Sequence, residues 1–430
     1  MKLLFSFKIA SSSFSSHTYE NSIKLLSKTL LFSHMALVFM DCLESFISKM
    51  DFVSRNNFNS FKLHSLFSIK GVRREWDLLR ASFNFWDPED HVFRFHLDEI
   101  CPTIEEFSAI LDIDQHLPFA VPVLKRSYHE TLCEVLGLPL PIVMKMLESR
   151  GLNLRLLLEE AQTKVPSSVL ESHQKLSALA MAFIGEFLLS SPHSEFADVR
   201  ISTLIPQLLQ GKSIVPIILA ETLNGLDAVV RGETSILLGS PLVLQLWLMD
   251  RLALIAPPTV AIYKPKHYKT RSLTRPDLQS EKDFLVELCR RTGKHIRWSC
   301  PWWQCGLPIL RSPGRDHVSV FGLGSNSFYR GDRVFRQFGL RQHIPAEGVP
   351  HAQKDLTPQL ITKIERNLTH PTKADSMSSR TKSFLMSDSY KTWITEKVWI
   401  REAKRIDERK KYLKSLRKES KKKRKREQDS

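Results

Sequence analysis

The chain has 430 residues, of which 42% are hydrophobic, and a formal net charge of +16. This hydrophobic content is sufficient for a large core, which excludes an intrinsically disordered protein. The charge is uneven, because residues 401–430 contain 15 Lys or Arg and six Asp or Glu and therefore carry +9. We expect attraction to polyanions to come mainly from this C-terminal part.

Cysteine usage and hydropathy indicate the expected compartment. The six cysteines lack the spacing of a disulfide framework, which is typical of a reduced, intracellular protein. Lys8 interrupts the apolar N-terminal run, so a leader is expected there rather than a secretory signal. The apolar runs 176–189 and 236–255 contain charged residues and do not reach the ~20 apolar residues of a membrane span. We predict no membrane contact.

Residues 85–107 encode a turn, a short strand and a helix in succession. The segment 87–90 has the Asp and Pro chemistry of a turn. Apolar and polar residues alternate over 93–97, the period of a strand with one buried face. Thr103 and Glu106 have the spacing of a capping box, which predicts that a helix begins after Thr103.

Helical periodicity recurs through the rest of the body, and Gly151 is expected to end one of its helices. The predicted helical segments are 21–50 (one or two helices), 65–83, 127–136, 142–150, 172–190, 201–209, 214–230, 240–255 and 281–291. Residues 264–274 form a basic loop. Residues 296–345 are rich in Trp, Gly and Pro and predict short strands and turns, including a strand at 318–321.

These patterns predict a mainly α-helical fold: a multi-helix globular body with a few short β-strands and a basic helical C-terminal tail. The expected divisions are a partly disordered leader (1–49), a helical body (50–350), a polar linker (351–388) and a basic helical tail (389–430). Apolar residues near the start of the tail could dock it onto the body, namely Trp393, Ile394, Val398, Trp399 and Ile400.

A zinc site can be drawn from Cys300 and Cys305 with His295 and His317. The gap between the two cysteines is acceptable for zinc, but the two histidines lack paired-ligand spacing. We therefore favour packing of both thiols in an aromatic turn. Nucleotide-binding glycine motifs are also incomplete, because Pro206 stands where the phosphate loop ending in Lys212 needs glycine.

Asp98, Glu99, Glu105 and Glu106 form an acidic cluster that could serve a metal or acid–base chemistry. Glu105 and Glu106 lie in the first turn of a predicted helix, where negative charge is favoured, so capping is the preferred interpretation. His91 and His96 are expected at the surface or an interface. We predict no catalytic, cofactor-binding or metal-binding residue, and no cofactor.

The last thirty residues contain an uninterrupted basic hexapeptide. Such a run is typical of nuclear-import signals and of contacts with phosphate backbones, although it could also be merely a solvated tail. No aromatic residues are interleaved with it, so base stacking is not implied. The candidate targeting or phosphate-contacting residues are Lys421, Lys422, Lys423, Arg424, Lys425 and Arg426.

Several segments of the body together resemble a plant family of uncharacterised proteins related to the plant mobile domain, sometimes labelled aminotransferase-like. The resemblance covers roughly residues 50–350. It implies a transposon-associated nuclear protein acting in silencing of mobile elements or in growth-related gene expression, without established catalytic residues. The segments that carry the resemblance are 85–88, 93–95, 102–107, 216–223, 242–247, 297–302, 320–322 and 336–345.

The sequence thus predicts a non-enzymatic nuclear module whose partners are nuclear proteins and, through the tail, nucleic acid. One alternative is a metal-dependent nuclease or hydrolase remnant using Asp87, Asp98 and Glu105, which would have to converge around a metal. Another is a degenerate product of a mobile element without a role in the host.

Overall fold

The computed structural model describes residues 39–163, 166–193, 195–259, 264–271, 273–306, 308–346, 353–373 and 385–401. Within these residues the fold is mainly α-helical with short strands, which confirms the predicted fold class. Apolar side chains from Phe39 to Leu368 pack into one hydrophobic core. No described helix is both long and apolar enough to cross a membrane.

The first part of the chain contains four helices, a small sheet and a fifth helix that follows the sheet directly. Strands β1, β2 and β3 are antiparallel neighbours, with Trp86 opposite Phe93 and Phe93 opposite Ile100. The elements are α1 (39–48), α2 (Phe52–Phe58), α3 (Leu66–Ile69), α4 (Trp76–Phe83), β1 (Trp86–Asp87), β2 (Val92–Phe95), β3 (Asp98–Ile100) and α5 (Ile104–Leu111).

The middle of the chain supplies the longest helices. Helix α9 continues into a π-helical turn, Ile184–Leu188, and β4, β5 and β6 form a second antiparallel sheet. The elements are α6 (His129–Leu136), α7 (Leu140–Met146), β4 (Leu147–Glu148), β5 (Gly151–Asn153), α8 (Leu154–Thr163), α9 (Val169–Phe183), β6 (Phe196–Ala197), α10 (Ile205–Leu209), α11 (Val215–Val230) and α12 (Pro241–Arg251).

The C-terminal part combines a 3-10 turn, Pro265–Thr270, with two strand pairs and three helices. Strand β8 pairs with β9, and β7 pairs with β10. The elements are α13 (Glu281–Cys289), β7 (Ile309–Arg311), β8 (Val318–Phe321), β9 (Asn326–Tyr329), α14 (Pro358–Thr369), β10 (Thr372–Lys373) and α15 (388–401).

Helix α12 lies at the centre of the fold, and every residue from Pro241 to Arg251 is buried. A helix that is apolar on all sides is stable only when other elements surround it. Helices α5 and α4 pack against α12, while the β8–β9 hairpin packs against α11. The 85–107 segment therefore lies against the two central helices.

The chain just before α12 passes very close to α11. Gly239 has φ of +78°, and a Cβ atom placed on it would lie 2.4 Å from the backbone nitrogen of Thr222. Thr222 in turn accepts a hydrogen bond from the Ser240 amide at 2.9 Å. Only glycine can adopt a positive φ this close to α11, because any side chain would collide with the helix backbone.

The capping box of α5 is present as predicted, with Thr103 and Glu106 each bonding the other's backbone amide. The helix predicted over 65–83 is instead divided into α3 and α4. Gln245 of α12 explains the break, because its amide bonds the Arg73 carbonyl and the Glu75 amide and so holds this backbone outside a helix. Tertiary contacts override local helical preference here.

The sequence predicted that Gly151 ends a helix, but this prediction was wrong, because Gly151 lies in strand β5. It has φ of +120°, and a Cβ atom on it would lie 2.4 Å from the carbonyl oxygen of Ala197 in β6. The glycine thus permits close strand pairing. The β4–β5 hairpin was not expected from the sequence, because its strands have only two and three residues.

Two segments expected to be peripheral contribute to the core. Helix α14 lies within the predicted linker 351–388 and buries Ile361, Ile364 and Leu368. Helix α1 lies within the predicted leader 1–49 and buries Phe39 and three further apolar residues. The polar average composition of the linker concealed the apolar stripe of α14, whereas α1 lies within the helical segment predicted over 21–50. The remaining leader residues 1–38 and the tail from 402 onwards lie outside the described residues.

We expect Gly239→Ala to lower the free energy of unfolding by more than about 2 kcal/mol, because it adds steric overlap to the cost of positive φ. Gly232→Ala is the matched control, since Gly232 has φ of +75° but no atom within 4 Å of its Cβ position. Urea unfolding measures both changes. Equal losses in the two variants would refute the close-packing explanation.

Candidate functional site

The carboxylates of the 85–107 segment form a buried ionic centre. Asp98, Glu99, Glu105 and Glu106 are all buried. Arginines from distant parts of the chain contact three of them, and a backbone amide contacts the fourth. The capping role predicted for Glu106 is correct. In addition, the acids of this cluster join distant parts of the chain.

Glu106 joins three elements through both of its carboxylate oxygens. Oε1 accepts hydrogen bonds from Arg251 and, at 2.9 Å, from the Gln337 side chain. Oε2 accepts from the Trp247 indole at 2.7 Å and the Thr103 amide at 3.2 Å. Burial alone would lower the pKa of Arg251, but Glu106 more than offsets this and raises it. Arg251 therefore remains charged in the core.

Glu99 is the centre of a second group of charges. It accepts hydrogen bonds from Arg94 Nη2 and Arg333 Nη1, both at 2.7 Å, and from the Tyr390 hydroxyl at 3.2 Å. Burial would raise the pKa of Glu99, but Arg333 and Arg94 more than offset it, so the pKa is lowered. Arg94 also contacts Asp87 at 2.6 Å. This group connects β2, β3 and helix α15.

Asp98 has its own cationic partner. One carboxylate oxygen accepts from Arg336, and the other accepts from the Gly293 amide. The Arg336 guanidinium also lies 3.6 Å from the centre of the Trp298 ring, a cation–π distance. Asp98 therefore fixes two loops of the C-terminal part against strand β3.

His91 is buried, so the expectation of a surface position was wrong for this residue. Its Nε2 lies 2.9 Å from Asp227 of α11, and its Nδ1 lies 2.7 Å from the Phe328 carbonyl. A carbonyl oxygen can only accept, so Nδ1 donates to Phe328. Trp86 donates to the same Asp227 at 2.8 Å. His96, in contrast, is exposed and contacts the Cys289 carbonyl.

Helix α15 docks onto this ionic centre. Tyr390 and Ile394 are buried, and Arg333 lies 5.1 Å above the Trp393 ring. Arg401 contacts the Asp87 carboxylate. Trp399 and Ile400, however, are 73% and 57% exposed and lie outside the docked face, so docking was predicted wrongly for these two residues. The start of the tail is thus held on the body, as the apolar residues at its beginning predicted.

Each carboxylate proposed for a nuclease is engaged by a different group of the protein. Asp87 contacts Arg94 and Arg401, and Asp98 contacts Arg336. Glu105 accepts a hydrogen bond from the Ile309 amide at 2.7 Å. Each acid therefore has a different partner, and each contact holds two elements together.

The thiols drawn as a zinc site belong to the aromatic turn. Burial raises the pKa of Cys300 to about 12, which favours the protonated thiol over the thiolate that binds zinc. His317 contacts Asp316, and His295 contacts Thr292. Across the described ranges no group of three or more His, Cys, Asp or Glu is arranged to hold a metal ion. Lys421–Arg426 lie outside those ranges.

Sequence reasoning missed the partners of the acids, namely Arg251, Arg333, Arg336 and Asp227. A signal was present for Arg251, which follows Asp250 at the end of a largely apolar helix. Charged residues are rarely fully buried unless they are paired. A charge at the end of a helix that is buried on all sides therefore indicates a buried counterion, but its identity depends on the tertiary fold.

We expect Glu106→Gln to lower the free energy of unfolding by about 3–5 kcal/mol, because it leaves the Arg251 charge buried without a counterion. Glu44→Gln is the control, since Glu44 contacts Lys70 with half of its side chain exposed. Such exposed pairs contribute about 1 kcal/mol or less. Chemical denaturation distinguishes the two, and similar losses would contradict the ionic centre.

Glu105 predicts a dependence of stability on pH. Burial raises its pKa from 4.5 to about 7, so between these values the folded state holds a proton that the unfolded state has released. Its contribution is complete below pH 4.5 and is lost as the pH rises through 7.

We therefore expect wild-type protein to lose about 3 kcal/mol relative to Glu105→Gln between pH 4.5 and 8, at about 1.4 kcal/mol per pKa unit. Glutamine mimics the protonated acid and can still accept from Ile309. Unfolding of both proteins across this range measures the difference, with exposed Glu130→Gln as the control. A difference independent of pH would exclude the raised pKa.

Comparisons with known proteins give one match. Neither curated proteins nor solved structures include a significant match to this chain. A family described as "Domain of unknown function (DUF7745)" matches residues 43–399, which include the 85–107 segment, the central helices and most of α15. The chain belongs to the DUF7745 family of domains of unknown function.

Proposed function

We propose that this protein is a non-enzymatic nuclear interaction module that contacts nuclear proteins or nucleic acid. The observation that carries the proposal is the docking of α15 by Tyr390 and Ile394, directly before a segment of strongly positive charge. The body provides a folded platform, and the tail provides nuclear targeting and attraction to phosphates.

Docking of α15 supports cooperation between tail and body. The basic part of the tail follows Arg401, which contacts Asp87 at the edge of the first sheet. A tail bound to a polyanion would therefore keep the body at a high effective concentration beside it, so that weak contacts of the body become significant. This favours a module that uses two attachment points.

A structural role for the buried acids supports the non-enzymatic interpretation. Glu99 and Glu106 are each held by arginine and by a neutral donor, and both join elements far apart in the chain. Buried charges require such partners for the fold itself. These contacts explain why Glu99 and Glu106 are buried, so no catalytic role is needed to explain it.

The finer assignment is to a transposon-related plant protein related to the plant mobile domain, acting in silencing or gene expression. It is supported by the sequence segments of the body that resemble that family, including 85–88 and 336–345. Purification of the tagged protein from nuclei, with and without nuclease, tests its partners. Partners that remain after nuclease treatment support protein contacts, whereas complete loss indicates tethering by nucleic acid.

Replacing Lys421–Arg426 by six glutamines should reduce nuclear accumulation of a tagged full-length protein several-fold, because it removes the contiguous basic run that import signals require. Fluorescence microscopy measures the ratio of nuclear to cytoplasmic protein.

The matched control removes the same charge elsewhere in the tail, by replacing Arg409, Lys410, Lys411, Lys414, Arg417 and Lys418 with glutamine. We expect it to retain nuclear accumulation. Equal reduction in both variants would attribute localisation to net charge, and no change in the first would eliminate the targeting role.

A further inference from the structure

A cavity of about 300 Å³ lies between the turn that separates α3 from α4, helix α12 and the 3-10 turn Pro265–Thr270. Its floor is apolar and includes Met249 and Ile255. Its charged lining residues are Arg73, Glu75, Lys269 and Arg271, which together carry +2. The basic loop noted in the sequence therefore forms one wall of a positively charged cavity.

Arg73 lies on a backbone segment that is held in place by a side chain of α12. Gln245 donates to the Arg73 carbonyl at 2.8 Å and accepts from the Glu75 amide at 2.7 Å, which holds that wall of the cavity. The Arg73 side chain is 88% exposed. Lys269 passes over Gly71, where a Cβ atom would lie 2.9 Å from its Cε.

The donors of Arg271 are already engaged, because both of its Nη atoms contact the buried Asp250 carboxylate and its Nε donates to the Ala256 carbonyl at 2.8 Å. Asp250 contacts Arg271, with one N–O distance of 2.8 Å, and also Arg297 at 3.1 Å. Two guanidinium groups thus contact one carboxylate, and this buried group keeps a net charge of +1. A buried excess of positive charge beside a cavity attracts an anion more strongly than a solvated surface charge would.

Further positive charge lies at the exposed edge of the cavity. Lys266 and Lys269 are three residues apart in the 3-10 turn, so their side chains lie on the same side of it. Both residues are exposed. Glu75, the acidic lining residue, lies 3.5 Å from Arg73 Nε and is partly neutralised by it.

We propose that this cavity binds a phosphate group of a nucleic-acid backbone, with Arg73 and Lys269 contacting the phosphate and Lys266 contacting the next one, while Arg271 adds positive charge from the wall of the cavity. The proposal goes beyond the role of the tail, and it rests on the proposed function only for the choice of nucleic acid as the source of the phosphate. Nucleic acid supplies regularly spaced phosphates that a row of cations can follow.

The test uses full-length protein with Arg73, Lys266 and Lys269 replaced by glutamine. The control replaces Lys363, Arg366 and Lys373, which are exposed on α14 and β10, and removes the same charge. Fluorescence anisotropy with 30-nucleotide single-stranded and double-stranded oligonucleotides at several salt concentrations measures affinity. The cavity variant and the control variant are also made in protein with the six-glutamine tail. The contacts of the cavity with nucleic acid can then be measured without those of Lys421–Arg426.

The cavity variant should reduce the slope of log affinity against log salt by about 2, since each lost phosphate contact removes about 0.7–0.9. The control should leave the slope within about 0.5. Gly71→Ala should also weaken binding several-fold, because its Cβ displaces the Lys269 side chain without a change of charge. Unchanged unfolding midpoints exclude misfolding as the cause.

Equal effects of the cavity and control variants would overturn the proposal, as would binding to vesicles with anionic phospholipid but not to oligonucleotides. Pyrophosphate that competes equally in wild-type and cavity variants would overturn it too. A reduced slope in the cavity variant, combined with unchanged localisation of the six-glutamine protein, would support the cavity and refute the targeting role of the tail.

Discussion

Pairing of buried acids with arginines from distant segments is the constraint on which the fold depends. Glu99 and Glu106 lie in and just after the first sheet, while their partners Arg333 and Arg251 come from the C-terminal half. A charge removed from water must meet a counterion and further donors, so the segments cannot shift relative to one another. Here the ionic contacts fix the register of the strand–helix segment against α12 and α15, while apolar burial supplies the larger part of the stability.

The local features of the chain were readable from sequence because they depend on near neighbours. The capping box at Thr103 and the long helix α11 follow from spacing and periodicity, and the structure contains both. The break between α3 and α4 was not readable, since Gln245 causes it from 170 residues away. The strand position of Gly151 depends in the same way on Ala197.

The acidic cluster illustrates the same limit within the site. The sequence showed which acids lie together and that Glu106 caps a helix. It could not show that these acids would be buried and paired with arginines from distant segments. Burial of His91 was missed because its two acceptors, Asp227 and the Phe328 carbonyl, lie 136 and 237 residues away. Periodicity predicts which face of a helix or strand is buried. Which charges pair depends on which of these faces meet in the tertiary fold.

The separation between acids and arginines also affects how the protein is made. Glu99 leaves the ribosome 234 residues before Arg333, which at ordinary rates of synthesis is an interval on the order of tens of seconds. During that interval Glu99 can pair with Arg94 of the same sheet, but its contact with Arg333 cannot form. A product that terminates before Arg333 would therefore bury Glu99 with one of its two cations missing.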